Sequence, residues 1–575
     1  MSLCSRFVVH ESQNDILIYP LDPLPPLGID RDTAAISQFN DIEQPPRSYG
    51  HEILGILGLI TINSYSFIIT VTSANVVAQI GHHEIWLIES INTLPLRTYT
   101  STSFHTAHSL CKTAYSERGL YFSPSLPLSL PLSSSLYTSS PIWSCSDSSF
   151  VFNNFAAATF LSSCSSDLSS YVLPVTQGYF GMVPRAILCG DVYHSLCLFS
   201  RRDVSNLGKR FTRRGVDFNH SHTPANTVIT EQSIISDCGR SLIGSYILMR
   251  GSIPLQWSQT PDLTLKPSIK MIENDWNDCD VFRSVVEDLQ RSFGKPLVFV
   301  NLINQKGHEG DLCRAFENLI DETNIDGFSY YYFDFHKECC GFQYQKVASL
   351  VESISSELSW NMAEKVQKGI VRVNCIDCLD RTNVVQSFLS RFVLHRQLHS
   401  IGSLSVNNIT SINQTRGDLS YSGTCKFDKD LEAAFSNLWA NNGDELSLQY
   451  AGTFAMKRDF LRKGKRTFTG TLFDGYLSIS RFILNNFSHG HVQDALDLVI
   501  RGRKGEVVGQ QKSRFLSCGI WSMLLFLVTG MVFLRRSPVK MVLFIVFVSF
   551  LFKYAKRKYF SRFVVKPRLC FNKIN

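Results

Sequence analysis

The chain has no disulfide framework: its 16 cysteines are scattered over 575 residues without a regular spacing, which excludes a cystine-stapled secreted fold and suits a reducing compartment. No secretory leader is expected either, because residues 1–9 are too short for one and polar residues follow them. Cys375 and Cys378 form a C-x-x-C without a second pair at metal-ligand spacing, since Cys339 and Cys340 are adjacent and His336 stands alone, so no metal and no cofactor is expected. Residues 123–170 lack charge almost entirely and are rich in Ser, Leu and Pro, which reads as a low-complexity surface loop without function. Residues 501–575 have a single acid, Glu506, against 16 Lys and Arg.

That last shortage overturns the overall charge of +7. Of 56 basic and 49 acidic residues, positions 1–500 hold 40 and 48, a net of −8, so the positive excess belongs to the C-terminus alone. A nucleic-acid partner is therefore not expected. Residues 515–534 are twenty positions without a charge, about 30 Å as a helix and long enough for a bilayer core. A turn at Arg535-Arg536-Ser537-Pro538 leads to a second apolar run, residues 539–555, whose Lys540 and Lys553 can snorkel. The expectation is an integral-membrane, two-helix hairpin; a re-entrant second segment is the alternative. Five basic residues precede the first span, seven follow Lys553 and three lie in the turn, which places both ends in the cytosol. The basic linker, residues 500–514, and the tail, 556–575, favour anionic lipid head groups. Short spans suit a thin early-secretory bilayer, endoplasmic reticulum or Golgi.

The chemistry lies in residues 372–383, where Cys375 and Arg381 are six positions apart between a β-branched run, 369–373, and apolar residues at helical spacing, Val384, Val385, Phe388, Leu389, Phe392 and Val393. Strand, tight loop, helix is the predicted order. The backbone N–H groups of residues 376–381 would then surround a tetrahedral anion at a helix N-terminus near Thr382, capped by Thr382 or Asn383. The phosphate would contact Ile376, Cys378, Leu379, Arg381 and Thr382. Cys375 would be the nucleophile, its thiol lowered by the helix end and a guanidinium, and Arg381 would clamp two phosphate oxygens. Asp377 and Asp380 would repel a phosphate if both were ionised and inward. Asp377 is expected to carry a raised pKa as general acid, and Asp380 to orient Arg381 or the loop.

The full string, Arg372, Asn374, Cys375, Asp377, Cys378, Leu379, Asp380, Arg381, Thr382 and Asn383, resembles the catalytic signature of the Sac-domain (suppressor-of-actin) phosphoinositide phosphatases. Residues 51–59, Arg213-Arg214-Gly215, Ala225-Asn226, Thr230-Glu231-Gln232, Arg250-Gly251-Ser252-Ile253-Pro254, Trp257, Gly307 with Glu309 and Phe333-Asp334-Phe335-His336 are similar to family segments before the loop. Residues 437–444 and 449–453, Asp474-Gly475-Tyr476 and Asn485-Asn486-Phe487 continue the likeness after it, so that residues 50–500 are covered. The charge-poor stretch departs from the family pattern and reads as a diverged insertion or a gene-model error.

The resemblance implies an α/β catalytic domain with a cysteine-based phosphatase loop, residues 181–499, preceded by a mostly β N-terminal subdomain, residues 49–180, after an extension, residues 1–48. Alternating apolar strands in residues 53–90, a strand at 296–301 and helices near 346–358, 384–397 and 491–501 agree with it. It further implies hydrolysis of a phosphoinositide lipid, a phosphatidylinositol monophosphate with the 4-phosphate favoured, through a cysteinyl-phosphate. A protein phosphatase with the same loop chemistry and a catalytically silent lipid-binding tether are the other readings.

Overall fold

The computed structural model describes residues 3, 5–39, 50–162, 168–217, 221–236, 242–272, 278–340, 346–358, 367–402, 427–464, 466–503 and 565–567. Its framework is one eleven-stranded sheet, in spatial order Phe328–Tyr332, Leu297–Asn301, Ile370–Asn374, Leu242–Gly251, Val228–Ser236, Val192–Arg202, Thr176–Cys189, Leu120–Phe122, His83–Pro95, Tyr65–Ile80 and Gly55–Ile62. The first four strands pair in parallel and the rest antiparallel. The two expected subdomains therefore share one sheet, with the β-rich part at one edge and the α/β part at the other.

The parallel edge is covered on both faces, as crossover connections require. Alternation along Leu297–Asn301 directs Leu297 and Phe299 toward Phe282, Val285 and Phe316 of helices Asp278–Phe293 and Gly310–Thr323. Val298 and Val300 face the opposite way, toward Val384, Leu389 and Phe392 of helix Asp380–Ser400 and Leu438 and Trp439 of helix Lys429–Ala451. Strand Ile370–Asn374 is buried at all five positions and lies between two parallel neighbours, Val373 opposite both Val300 and Arg250. The loop that follows it opens at the carboxyl ends of the parallel strands, where open α/β sheets place their ligands.

Two sequence expectations change here. The described residues of the 1–48 extension are not merely an appendage: Phe7–Glu11, Asp15–Pro20, Leu27–Asp30 and Ile36–Gln38 form an antiparallel sheet with His51–Ile53, and Phe7, Ile16, Ile18, Leu27 and Ile29 pack against Ile56, Leu59, Ile68 and Phe160. Nor are the described residues of 123–170 a surface loop. Leu126, Leu128, Leu132, Ile142, Phe150, Val151, Phe152, Ala156, Ala157, Phe160 and Leu168 are buried, and short helices such as Asn154–Leu161 organise them. Asn153 ties the segment down by donating to the carbonyls of Leu57 and Leu173 at 2.7 and 2.8 Å and accepting from the N–H of Val175 at 2.8 Å. The stretch is poor in charge because so much of it lies inside, where an unpaired charge would be costly.

The apolar runs at 515–534 and 539–555 lie outside the described residues. Among the described residues, no helix is long and apolar enough to cross a membrane. After those runs, Val565 returns to the folded body and donates its N–H to the carbonyl of Asn486 at 2.7 Å.

Candidate active site

Cys375 is the first residue past strand Ile370–Asn374 and is buried. The helix begins at Asp380, two residues earlier than the sequence predicts, and Leu379 is its N-cap without a side-chain cap. Thr382 and Asn383 are inside the first turn instead. Asn383 donates to the carbonyl of Trp439 at 2.9 Å and accepts from Arg250 at 3.1 Å, so its amide docks the helix rather than capping it.

The loop is held from its carbonyl side. Cys378, at φ +52°, donates its thiol to the carbonyl of Cys375 at 3.0 Å, Arg214 donates to the carbonyl of Ile376 at 2.7 Å, and Asn226 donates to that of Asp377 at 2.9 Å. Arg372, buried beneath, bridges Asn374 at 3.0 Å and the carbonyl of Ser252 at 3.1 Å, and burial pushes its pKa down to about 10. These contacts give Arg372, Asn374, Cys378 and Asn383 structural work in shaping the loop.

The charged side chains of the loop are partnered differently from the sequence reading. Arg381 donates Nη1 to Oε2 of Glu309 at 3.0 Å and Nη2 to Oε1 at 2.9 Å. Asp380 does not orient it; its Oδ2 accepts from Arg481 at 2.9 Å and its Oδ1 from the N–H of Met456 at 2.6 Å. Asp377 accepts Nε and Nη2 of Arg210 at 3.1 and 2.8 Å on one oxygen and Arg214 at 2.6 Å on the other. Burial would raise the Asp377 carboxyl, but the two guanidinium groups overwhelm it and hold the group far below the ordinary carboxylate range. The raised pKa expected at Asp377 is opposed by both of these partners. The same opposition, burial against Arg481, leaves Asp380 lowered.

Cys375 also departs from expectation. Burial pushes its thiol up; Arg381 pulls it down, while Glu309 and Asp377 push with burial. The guanidinium that would favour the thiolate has its charge answered by Glu309. Cys378 is pushed up to about 12 by burial and the neighbouring Cys375, as befits a packed thiol. Among the described residues no group of three or more His, Cys, Asp or Glu could hold a metal ion.

Residues the sequence reading did not place at the site are Arg210, Arg214, Glu309, Lys457 and Arg481. Lys457, at φ +64°, is lowered by burial and feels Asp380, Arg381 and Cys375. His336 lies near Arg381 and Lys457 and is lowered by burial and by both cations. The Arg213-Arg214-Gly215 and Gly307/Glu309 segments were visible as family-like patches, but nothing local announced which loop they serve.

Residues 54–340 match the family model described as the SacI homology domain. The chain is 33% identical over 486 residues to phosphoinositide phosphatase SAC7 of Arabidopsis thaliana, an alignment covering 80% of this chain and 77% of that protein. It is 31% identical over 498 residues to phosphatidylinositol-3-phosphatase SAC1-A of Danio rerio, covering 82% and 80%. With relatives of this identity matched over more than three quarters of their length, the chain belongs to the SacI homology family.

Proposed function

We propose that the protein is a phosphoinositide phosphatase, a phosphoric monoester hydrolase, with Cys375 as nucleophile and Arg381 as the phosphate clamp. The observation that carries this reading is the position of Cys375 and Arg381 at the two ends of one loop, between a fully buried parallel strand and a helix N-terminus. The Cys375 proton passes to Glu309, the thiolate attacks phosphorus, the bond from phosphorus to the inositol oxygen breaks, and that oxygen leaves with the proton from Glu309. Water then hydrolyses the cysteinyl-phosphate, returning the thiolate and inorganic phosphate. Arg381 exchanges Glu309 for the phosphate and stabilises the charge of both transition states.

Glu309 takes the acid role that Asp377 is too strongly ion-paired to fill. Once phosphate holds Arg381, burial acts on Glu309 without its largest opposing charge, and its carboxyl rises toward a range where it can donate. Asp377 keeps Arg210 and Arg214 at the loop, and Asp380 anchors the helix start through Arg481.

The finer reading is a phosphatidylinositol monophosphate substrate, the 4-phosphate favoured, on a multi-pass protein of the endoplasmic reticulum or Golgi with residues 515–534 and 539–555 as spans and the catalytic part in the cytosol. The family and the uncharged length of those runs support it. The test reconstitutes the full chain in vesicles, measures phosphate release from each phosphoinositide and from a phosphotyrosine peptide, and uses Cys375→Ser as control. Lipid hydrolysis that vanishes in the control and survives chelator supports the reading; peptide hydrolysis at least as fast as lipid hydrolysis would replace it with a protein phosphatase.

A further inference from the structure

Helix Phe468–Phe487 packs beside the catalytic loop and keeps large apolar side chains in solvent. Its inner face carries Leu477, Arg481 and Asn485, all buried, and Arg481 grips Asp380 of the loop at 2.9 Å. On the opposite face Phe468, Leu472, Tyr476 and Ile479 are 79%, 61%, 63% and 57% exposed. Their spacing of four, four and three residues makes one stripe, about 16 Å long at 1.5 Å per residue. Single exposed apolar residues need no explanation, but a continuous stripe of four on one helix marks a contact surface.

Two observations identify what covers the stripe. The first is charge. The helix itself has one acid, Asp474, which receives the N–H of Lys457 and the guanidinium of Arg466 and so is already matched. In the preceding segment Lys463 is exposed, and Arg458 and Arg462, both partly exposed, share the single carboxylate of Asp444, whereas Arg466 is taken up by Asp459 and Asp474. Exposed Leu265, followed by Lys266, lies in a loop tied to the same helix by the Leu263 N–H to Asn486 hydrogen bond at 3.2 Å. Apolar residues bordered by cations suit a surface of anionic lipid.

The second is where the chain returns. Val565 donates to the carbonyl of Asn486 near the end of this helix, and it follows the apolar run 539–555 by ten residues. Ten residues span at most about 35 Å. A bilayer holding that run therefore comes within about 35 Å of the helix end even if the connection is fully extended.

We infer that the outer face of helix Phe468–Phe487 lies in the head-group region of an anionic bilayer and docks the catalytic loop against the surface that supplies its substrate. This rests on the phosphoinositide reading for its purpose, while lipid contact itself is measured without turnover. Helix diameter sets the stand-off: the loop is held about 10 Å above the embedded face.

The test uses the full chain in vesicles of phosphatidylcholine and phosphatidylserine. In Leu472→Trp, the fluorescence added relative to the unsubstituted chain is quenched by brominated phosphatidylcholine if the stripe is embedded. Absence of that extra quenching overturns the proposal and assigns the stripe to another segment of this chain or to a second copy. In the paired Leu472→Asp/Ile479→Asp variant, hydrolysis of vesicle phosphoinositide falls about tenfold or more while a water-soluble short-chain phosphoinositide is turned over within about twofold of the parent. Equal effects on both substrates overturn it as well. An unsubstituted chain inactive on both would count against the phosphatase reading, and the quenching would still decide the docking.

Discussion

Glu309 and Arg381 meet fork to fork, with Nη1–Oε2 at 3.0 Å and Nη2–Oε1 at 2.9 Å, although 72 residues separate them in sequence. The planar face that a phosphate needs is occupied by a carboxylate of matching geometry. On the proposed reading, substrate binding at this loop is an exchange: a phosphate would displace Glu309 from Arg381, and Glu309 would change its electrostatic surroundings as the substrate arrives.

Glu309→Gln tests the exchange. The amide keeps the shape but loses the charge, so Arg381 is released toward anions, and inorganic phosphate should inhibit about tenfold more tightly, roughly the difference between a charged and a neutral partner. Glu309 is also one of the charges that raises the Cys375 thiol, after burial, so the pH at which iodoacetamide alkylates Cys375 at half its limiting rate should fall in the variant. Unchanged phosphate inhibition together with an unchanged alkylation profile would show that the pair does not gate the loop. Turnover should fall even as phosphate binds more tightly, because the amide cannot donate the leaving-group proton.

Asp377→Asn separates ion pairing from acid catalysis. Removing the charge leaves Arg210 and Arg214 facing a neutral amide, which should cost about 2–3 kcal/mol of stability and loosen the loop. The expected kinetic result is a raised KM with the high-pH limb of the rate profile preserved. Loss of that limb would restore Asp377 as the acid. Asp380→Asn, on Arg481 and the Met456 N–H, should lower the melting temperature more than it lowers turnover.

The loop and its flanks were legible because they are local. Ile370, Val371 and Val373 form a short β-branched run as a buried parallel strand does, and Val384, Val385, Leu389 and Phe392 repeat at helical spacing where the helix turns to the sheet. The partners were not legible, because Arg210 and Arg214 lie more than 160 residues from Asp377, and Arg481 about 100 from Asp380. A lone arginine carries no local sign of the carboxylate it will meet. Pairing also decides protonation, so the thiol and acid assignments, which assumed unpaired neighbours, changed most. Residues 123–170 misled for another reason: Ser, Leu and Pro compose flexible loops and also closely packed, irregular interior segments, and only the contacts of Asn153 and its neighbours distinguish the two.

Asn153→Ala measures how firmly that segment is built in. The substitution strands the carbonyls of Leu57 and Leu173 and the N–H of Val175 in the interior, each at the cost of an unmade buried hydrogen bond. A loss of about 3 kcal/mol or more is expected in urea unfolding monitored by tryptophan fluorescence. A change within about 0.5 kcal/mol is what a surface site would give, and would return the segment to the loop reading.

Asp203 supplies a pH-dependent test of the same body away from the loop. It is buried, accepts the Ser205 N–H at 2.7 Å, and burial pushes its carboxyl up to about 7. Its unfolded value is the ordinary one near 4. Between those values the folded chain holds a proton that the unfolded chain has released, so the group's contribution to stability is fully present below about pH 4 and is lost as pH rises through about 7. A gap of about three units corresponds to roughly 4 kcal/mol at most. Asp203→Asn keeps an oxygen for the Ser205 N–H and cannot ionise. The variant and parent should unfold at nearly the same urea concentration at pH 4.5, whereas at pH 8 the variant should be more stable by a few kcal/mol. Taking the difference between the two proteins at each pH removes the titration of every other group. A difference that stays constant across that range would mean that Asp203 is ionised in the fold, with nearby Arg372 outweighing burial.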